Sequence, residues 1–158
     1  EVPDNWFGSQ RLKQLIEDLF DTKLALSGAG LAATQIEEPW RVVVIGMGHN
    51  PRYPNADPLP ERVLINPVIK SIGDELISGW EGCLSVPGLR GEVERYKYIH
   101  LKWQDQEGTF HAEDLQDFHA RVVQHENDHL DGVLFPDLLI SPLAFGFTEE
   151  LQTHGRIP

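Results

Sequence analysis

One face of one segment constrains this chain more than any other feature in it. Written as a helix, residues 118–130 (FHARVVQHENDHL) place Phe118, Val122, His125 and His129 at i, i+4, i+7 and i+11. Positions at that spacing share a face, and apolar residues on it mark the side turned toward a core. Two imidazoles therefore point inward among apolar side chains. A buried polar ring needs a partner, because burying it alone is costly.

The spacing suggests what that partner is. His125 and His129 stand one turn apart, so both rings can reach a single ion. Glu126, beside the first, can turn its carboxylate toward a water on that ion. H-E-x-x-H also arises by chance in helices, and by itself it leaves a metal site and a histidine-rich helix equally open. The other histidines (His49, His100, His111, His119 and His154) show no comparable pairing. They read as surface or hydrogen-bonded groups.

A hydrolytic metal site needs three protein ligands and one position left for water. After His129 no histidine occurs before His154, and Asp131 falls on a different helix face. Upstream, EGCLS (81–85) offers Cys83, the only cysteine in the chain, directly after Gly82. Alone, a free cysteine reads as a small buried hydrophobe. Together with a helical histidine pair it becomes the third ligand. A single cysteine also excludes an intrachain disulfide and fits a reducing compartment.

The rest of the chain sets the frame. Residues 11–26 carry Leu12, Leu15, Ile16, Leu19, Phe20 and Leu24 at helical spacing, ended by Ser27-Gly28. Residues 41–46 and 62–67 read as strands, and HNPRYPNADPLP (49–60), with four prolines, reads as an extended surface loop. Several short strands follow from 68 to about 113, with HLKWQD (100–105) turning through QDQEGT into TFHAE. A second helix is expected over roughly 114–131. Helix, strands and helix without regular β-α-β alternation predict an α+β fold, with short antiparallel strands packed around the central H-E-x-x-H helix. No repeat, low-complexity tract or linker interrupts the 158 residues, which read as one catalytic domain.

Charge and hydropathy exclude several functions. With 13 basic and 25 acidic residues the formal charge is −12, which argues against a nucleic-acid surface. The tail SPLAFGFTEELQTHGRIP carries one arginine and two glutamates, so it lacks the basic helix of a ribosomal RNA tether. No apolar run approaches the ~18 residues of a membrane span. The opening EVPDNWFGSQ has no export-signal pattern, although a chain that begins at Glu1 leaves room for processing ahead of it. A monomer is expected.

Three stretches, in order, resemble the three signatures of the peptide deformylases: GAGLAATQ (28–35), EGCLS (81–85) and QHENDH (124–129). The likeness continues through LINP, PGLRGEVERY and FHARVVQHE, over roughly residues 10 to 145. The proline-rich loop and Arg121 resemble the branch that includes organellar enzymes and some bacterial relatives.

The resemblance implies removal of the formyl group from the N-terminal formylmethionine of nascent peptides. Cys83, His125 and His129 would hold one divalent metal ion, natively Fe2+, with Zn2+, Ni2+ or Co2+ as possible occupants. Such an ion lowers the pKa of a bound water toward ~7. Glu126 would move the proton from that water to the departing amine, while the Gln35 amide and the Leu84 N–H donate to the oxyanion. Gly28 and Gly30 would leave backbone open to an extended peptide. Phe118, Val122 and Val86 would line the methionine pocket, and Arg90 would lie nearer the peptide. Glu81 and Arg95 would pair behind the ligands, and Asp128 would orient a histidine or cap locally.

Two departures from the family pattern stand out. The family usually has an additional strand before the first helix, and position 29 is Ala where a larger aliphatic residue is more common. Localisation is expected to be cytoplasmic if the source is bacterial, with a mitochondrion or plastid also open. Two rival expectations stand beside the deformylase reading. One is a general zinc peptidase in which Cys83 is incidental. The other is a non-enzymatic relative that binds formylated peptides or the ribosome, against which the full set of expected catalytic residues argues.

Overall fold

The computed structural model describes residues 1–158. Its first helix, α1 (Gln10–Ala25), starts where Ser9 caps it, the Ser9 Oγ accepting the Leu12 N–H at 3.2 Å. Leu12, Leu15, Ile16 and Leu19 form its buried stripe. Burying each of these is worth roughly 1.5–3 kcal/mol. The stripe lies on one face of a sheet whose strand β2 (Val42–Met47) is buried at every position.

β2 is apolar throughout because both of its faces are covered. Val42 and Val44 pack with the α1 stripe, while Val43, Ile45 and Met47 pack with Ala120, Val122 and Val123 of the second long helix, α2 (Asp117–Leu130). The sheet therefore lies between the two helices. Its strands are β1 (Gly30–Ala32), β2, β3 (Leu59–Ser71), β6 (Tyr98–Gln104) and β7 (Phe110–Gln116), antiparallel in that order. A second sheet joins β4 (Leu76–Cys83) and β5 (Val86–Tyr96) to the short β8 (Phe145–Phe147), which leads into α3 (Thr148–Thr153). Helix α2 touches both sheets, so the α+β arrangement around a central helix is what the structure contains.

Two local expectations change. The second helix begins at Asp117 rather than 114, because Asp114, Leu115 and Gln116 still pair with His100, Ile99 and Tyr98 of β6. Leu115 is buried at strand spacing, and Asp117 turns the chain through a left-handed φ of 53° before the helix starts. The stretch 49–60 is not an extended loop. Asn50 is buried; its side-chain amide donates to the Ser27 carbonyl at 3.0 Å, and its Oδ1 accepts the Arg52 N–H at 2.8 Å. The loop is thus folded in turns and tied to the glycine-rich segment. As the departure from the family pattern anticipates, no strand precedes α1; Val2 is buried and exchanges two hydrogen bonds with the Asn66 side chain. Asn66 and Pro67 sit in a bulge between Ile65 and Val68, which lets β3 run 13 residues with a proline inside it.

Candidate active site and metal centre

Two elements meet to form the site. Strand β4 ends on Cys83, and α2 presents His125 and His129 with ring centroids 5.0 Å apart. One donor atom from each of the three residues lies within 4.8 Å of the others, and all three residues are buried. The Cys83 Sγ stands 3.3 Å from Nε2 of His129. Burial works to raise the Cys83 thiol, yet hydrogen bonds and charge from His125 and His129 hold it down at about 5. A thiolate is therefore available as a donor near neutral pH.

A buried carboxylate fixes the first imidazole. Glu81 Oε1 contacts Nδ1 of His125 at 2.8 Å, which leaves Nε2 for the cluster. The same carboxylate accepts from Arg95 at 2.9 and 3.0 Å and from Nη1 of Arg121 at 2.7 Å. Burial opposes ionisation of Glu81, but these donors outweigh it and keep the group well below the usual carboxylate range. Arg121 also donates to the Ile77 carbonyl at 2.7 Å and lies across Gly79, where a Cβ would be 2.9 Å from its guanidinium carbon. Asp128 does not touch a histidine. It pairs with Nη1 of Arg95, so the orienting carboxylate is Glu81.

Glu126 lies beside the cluster, 6% exposed, and its Oε2 is buried with no hydrogen-bond partner. Burial raises its pKa, while His125 and His129 pull the other way. The side chain lies directly over Gly30, where an added Cβ would fall 2.7 Å from Cγ and Oε1. Gly30 is thus a matter of space for a carboxylate. Gln35, in a 3-10 turn after β1, accepts the Ala32 N–H on Oε1 at 2.9 Å. That bond turns its Nε2 toward Ser85 Oγ at 3.0 Å and Cys83 Sγ at 3.8 Å. Its amide therefore presents donors to the cluster.

Gly28, Ala29, Gly30, Gln35, Leu84, Phe118 and Val122 share one cavity with Cys83, His125 and Glu126. Leu84 also packs toward Gly28, its Cδ1 3.0 Å from where a Cβ would be. Val86 and Arg90 are not brought into that cavity. Val86 packs with Val93 and Phe135, and both residues line an adjoining groove beyond Leu84. Strand β1 is an edge strand that pairs only with β2.

Four residues at the site escaped the sequence reading or entered it only as a family marker: Arg52, Tyr53, Ser85 and Arg121. Tyr53 packs against Phe118 with the rings tilted and their centroids 5.4 Å apart. The Asn50-Pro51 step that turns the loop inward was the available signal, and the surrounding prolines obscured it. Ser85 directly follows the cysteine motif, and its N–H reaches the Cys83 Sγ at 3.4 Å.

The donor set tests well against a metal. A low-pKa thiol and two imidazoles converge, one imidazole is oriented from behind, and an unpartnered carboxylate oxygen lies alongside. These features define a metal-dependent hydrolase.

Comparison with known proteins is specific. Residues 2–143 match the family model described as polypeptide deformylase. Peptide deformylase 1 of Prochlorococcus marinus is 57% identical over 144 residues, covering 90% of this chain and 75% of that protein. Peptide deformylase 2 of Ralstonia nicotianae is 52% identical, covering 96% and 88%. Among solved structures, a class I type b peptide deformylase from Acinetobacter baumannii with Met-Ala-Ser bound has a TM-score of 0.84 at 40% identity, covering 87% of each chain. The chain belongs to the peptide deformylase family, whose metal-dependent activity removes the formyl group from N-terminal methionine. No helix is long and apolar enough to cross a membrane.

Proposed function

We propose that Cys83, His125 and His129 hold one divalent metal ion, natively Fe2+ with Zn2+, Ni2+ or Co2+ able to take its place, and that Glu126 is the general acid and base of deformylation. When bound, the ion supplies a Lewis acid and makes a water acidic enough to act as nucleophile near neutral pH. Glu126 takes the proton from the attacking water and delivers it to the amine nitrogen as the C–N bond breaks. Its buried, unpartnered Oε2 and its raised pKa suit a group that holds a proton between those two events. The Gln35 Nε2 and the Leu84 N–H donate to the oxygen that gains charge.

The formylmethionyl peptide runs along the open edge of β1, from Gly28 to Ala32, and its methionine side chain enters between Phe118 and Val122. The Met-Ala-Ser peptide in the Acinetobacter relative supports a substrate of this kind. Residues 1–158 act as one catalytic domain, a monomer without a nucleic-acid patch, working on nascent chains. In a bacterium that places it in the cytoplasm; in a eukaryote, in a mitochondrion or plastid. The observation that carries the reading is the three-donor cluster within 4.8 Å, beside the buried Glu126 carboxylate.

The test is anaerobic purification with metal analysis, alongside deformylation of formyl-Met-Ala-Ser. One ion per chain with turnover is expected, and Cys83→Ala should lose both. A Cys83→Ala protein that retains its ion and cleaves internal peptide bonds would favour the general peptidase instead.

A further inference from the structure

Four of the eight arginines of this acidic protein have a carboxylate that accounts for them. Arg41 pairs with Asp131, Arg62 with Glu113, Arg95 with Glu81 and Asp128, and Arg121 with Glu81. Of the other four, Arg11 and Arg156 lie over the Trp6 and Trp80 rings, and Arg52 and Arg90 stand together without a carboxylate, in a chain of formal charge −12. Arg90 is only 8% exposed. Its guanidinium donates to the Arg52 carbonyl at 3.2 Å and lies 4.9 Å over the Tyr53 ring. Burying a guanidinium without a counter-charge is unfavourable. Keeping a second arginine beside it is more so.

The two guanidiniums meet at a defined place. A Cβ on Gly82 would lie 2.9 Å from Nε of Arg90 and 3.2 Å from Nη2 of Arg52. Gly82 immediately precedes Cys83, so the pair stands next to the donor cluster. Arg52 lines the cluster's cavity and both adjoining grooves, and Arg90 lines both grooves. The other charged groups along these walls are Glu126 and the Glu81–Arg121 pair in the cavity, and Glu149 and Glu150 in one groove, of which Glu150 has His154 at 3.7 Å. A peptide leaving the site along either groove passes two cations that the protein itself does not neutralise.

We propose that Arg52 and Arg90 form a carboxylate-binding subsite that favours formylmethionyl peptides with an acidic side chain shortly after the methionine. The inference rests on the deformylase reading of the adjoining site. Two neighbouring guanidiniums offer the forked, charge-assisted donors that a carboxylate accepts best. The free C-terminus of a very short peptide has the same chemistry, and the experiment separates the two sources.

The experiment measures kcat/KM of the metal-loaded enzyme on amide-capped formyl-Met peptides of alanine, with Glu, Gln or Lys placed in turn at the second, third or fourth residue. Formyl-Met-Ala-Ala as free acid and as amide completes the set. At one position Glu is expected to exceed Gln by about fivefold, the range of one partly exposed ion pair. The preference should shrink as salt is raised. In Arg52→Gln the Glu/Gln ratio should fall toward one, and in Arg52→Glu it should turn to favour lysine. Equal turnover of Glu and Gln peptides at every position overturns the subsite while leaving deformylation intact. A gain from the free C-terminus with none from any side chain also overturns it. Failure of the metal-loaded enzyme to process any of the peptides overturns both readings.

Discussion

Adding one methyl group at Gly30 should separate catalysis from metal binding. Gly30 does not have a positive φ, so alanine is admissible to its backbone and the effect is purely one of space. The new carbon would lie 2.7 Å from Cγ and Oε1 of Glu126 and 2.9 Å from Cδ, whereas ordinary contact begins at 3.4 Å. The carboxylate therefore has to retreat by about 0.7 Å. It is buried, and the space open to it is the cavity it shares with the donor cluster, so any retreat shifts it within the site. Displacing a catalytic group by ~1 Å costs on the order of 10²-fold in rate, and overpacking costs roughly 1–3 kcal/mol of stability. Gly30→Ala is expected to lower kcat about 10- to 100-fold, to leave metal content near one ion per chain, and to lower Tm by roughly 2–10 °C.

The assay is anaerobic steady-state deformylation of formyl-Met-Ala-Ser, with the metal quantified and the melting curve recorded on the same sample. The double variant with Glu126→Gln makes the test sharper. If Gly30→Ala acts only by moving Glu126, it should slow the Glu126→Gln enzyme little further, because both changes remove one function. A Gly30→Ala enzyme within twofold of the parent kcat refutes the reasoning, as do losses that multiply in the double variant.

Four further outcomes are expected. Glu126→Gln should retain the ion by metal analysis while turnover drops at least about 100-fold. His129→Ala should abolish metal retention, whereas a merely solvated histidine would leave it unchanged. Glu81→Gln removes the shared counter-charge of Arg95 and Arg121, at a cost of about 3–5 kcal/mol in chemical denaturation. Because the folded pKa of Glu81 is depressed, its contribution is present above the ordinary value of 4.5 and is lost as pH falls through the lower folded value; the parent Tm should therefore drop more steeply below pH 4.5 than that of Glu81→Gln. Asn50→Ala should loosen the loop carrying Arg52 and Tyr53, raising KM for formyl-Met-Ala-Ser more than it lowers kcat.

The candidate donor cluster was legible in the sequence because chemistry and periodicity limited the choices. Two histidines one turn apart on an apolar face, with a glutamate beside the first, leave few arrangements, and a lone cysteine after glycine supplies what they lack. The α1 stripe and the apolar β2 were readable for the same reason: burial on one or both faces leaves a period. What stayed hidden depends on register between distant segments. Leu115 can serve a helix or a strand, and only pairing with Ile99 of β6 decides for the strand. Asn50 turns the proline-rich loop inward through a bond to Ser27, and no local pattern announces that partner.

The glycines show the limit most clearly. Gly30, Gly79 and Gly82 each mark a place where a Cβ has no room, and the sequence records that absence without naming the occupant. Glu126 fills the first space, Arg121 the second, and Arg90 with Arg52 the third. Each occupant is a charged side chain from another segment, brought in close to the ligand cluster. A single sequence can therefore suggest that such glycines border a site, but the charges that crowd against them come from the packing of β4, β5, α2 and the 49–60 loop together. That is why the candidate base and the candidate metal ligands could be read from residue type and spacing, while the arginine pair at the mouth of the site needed the fold.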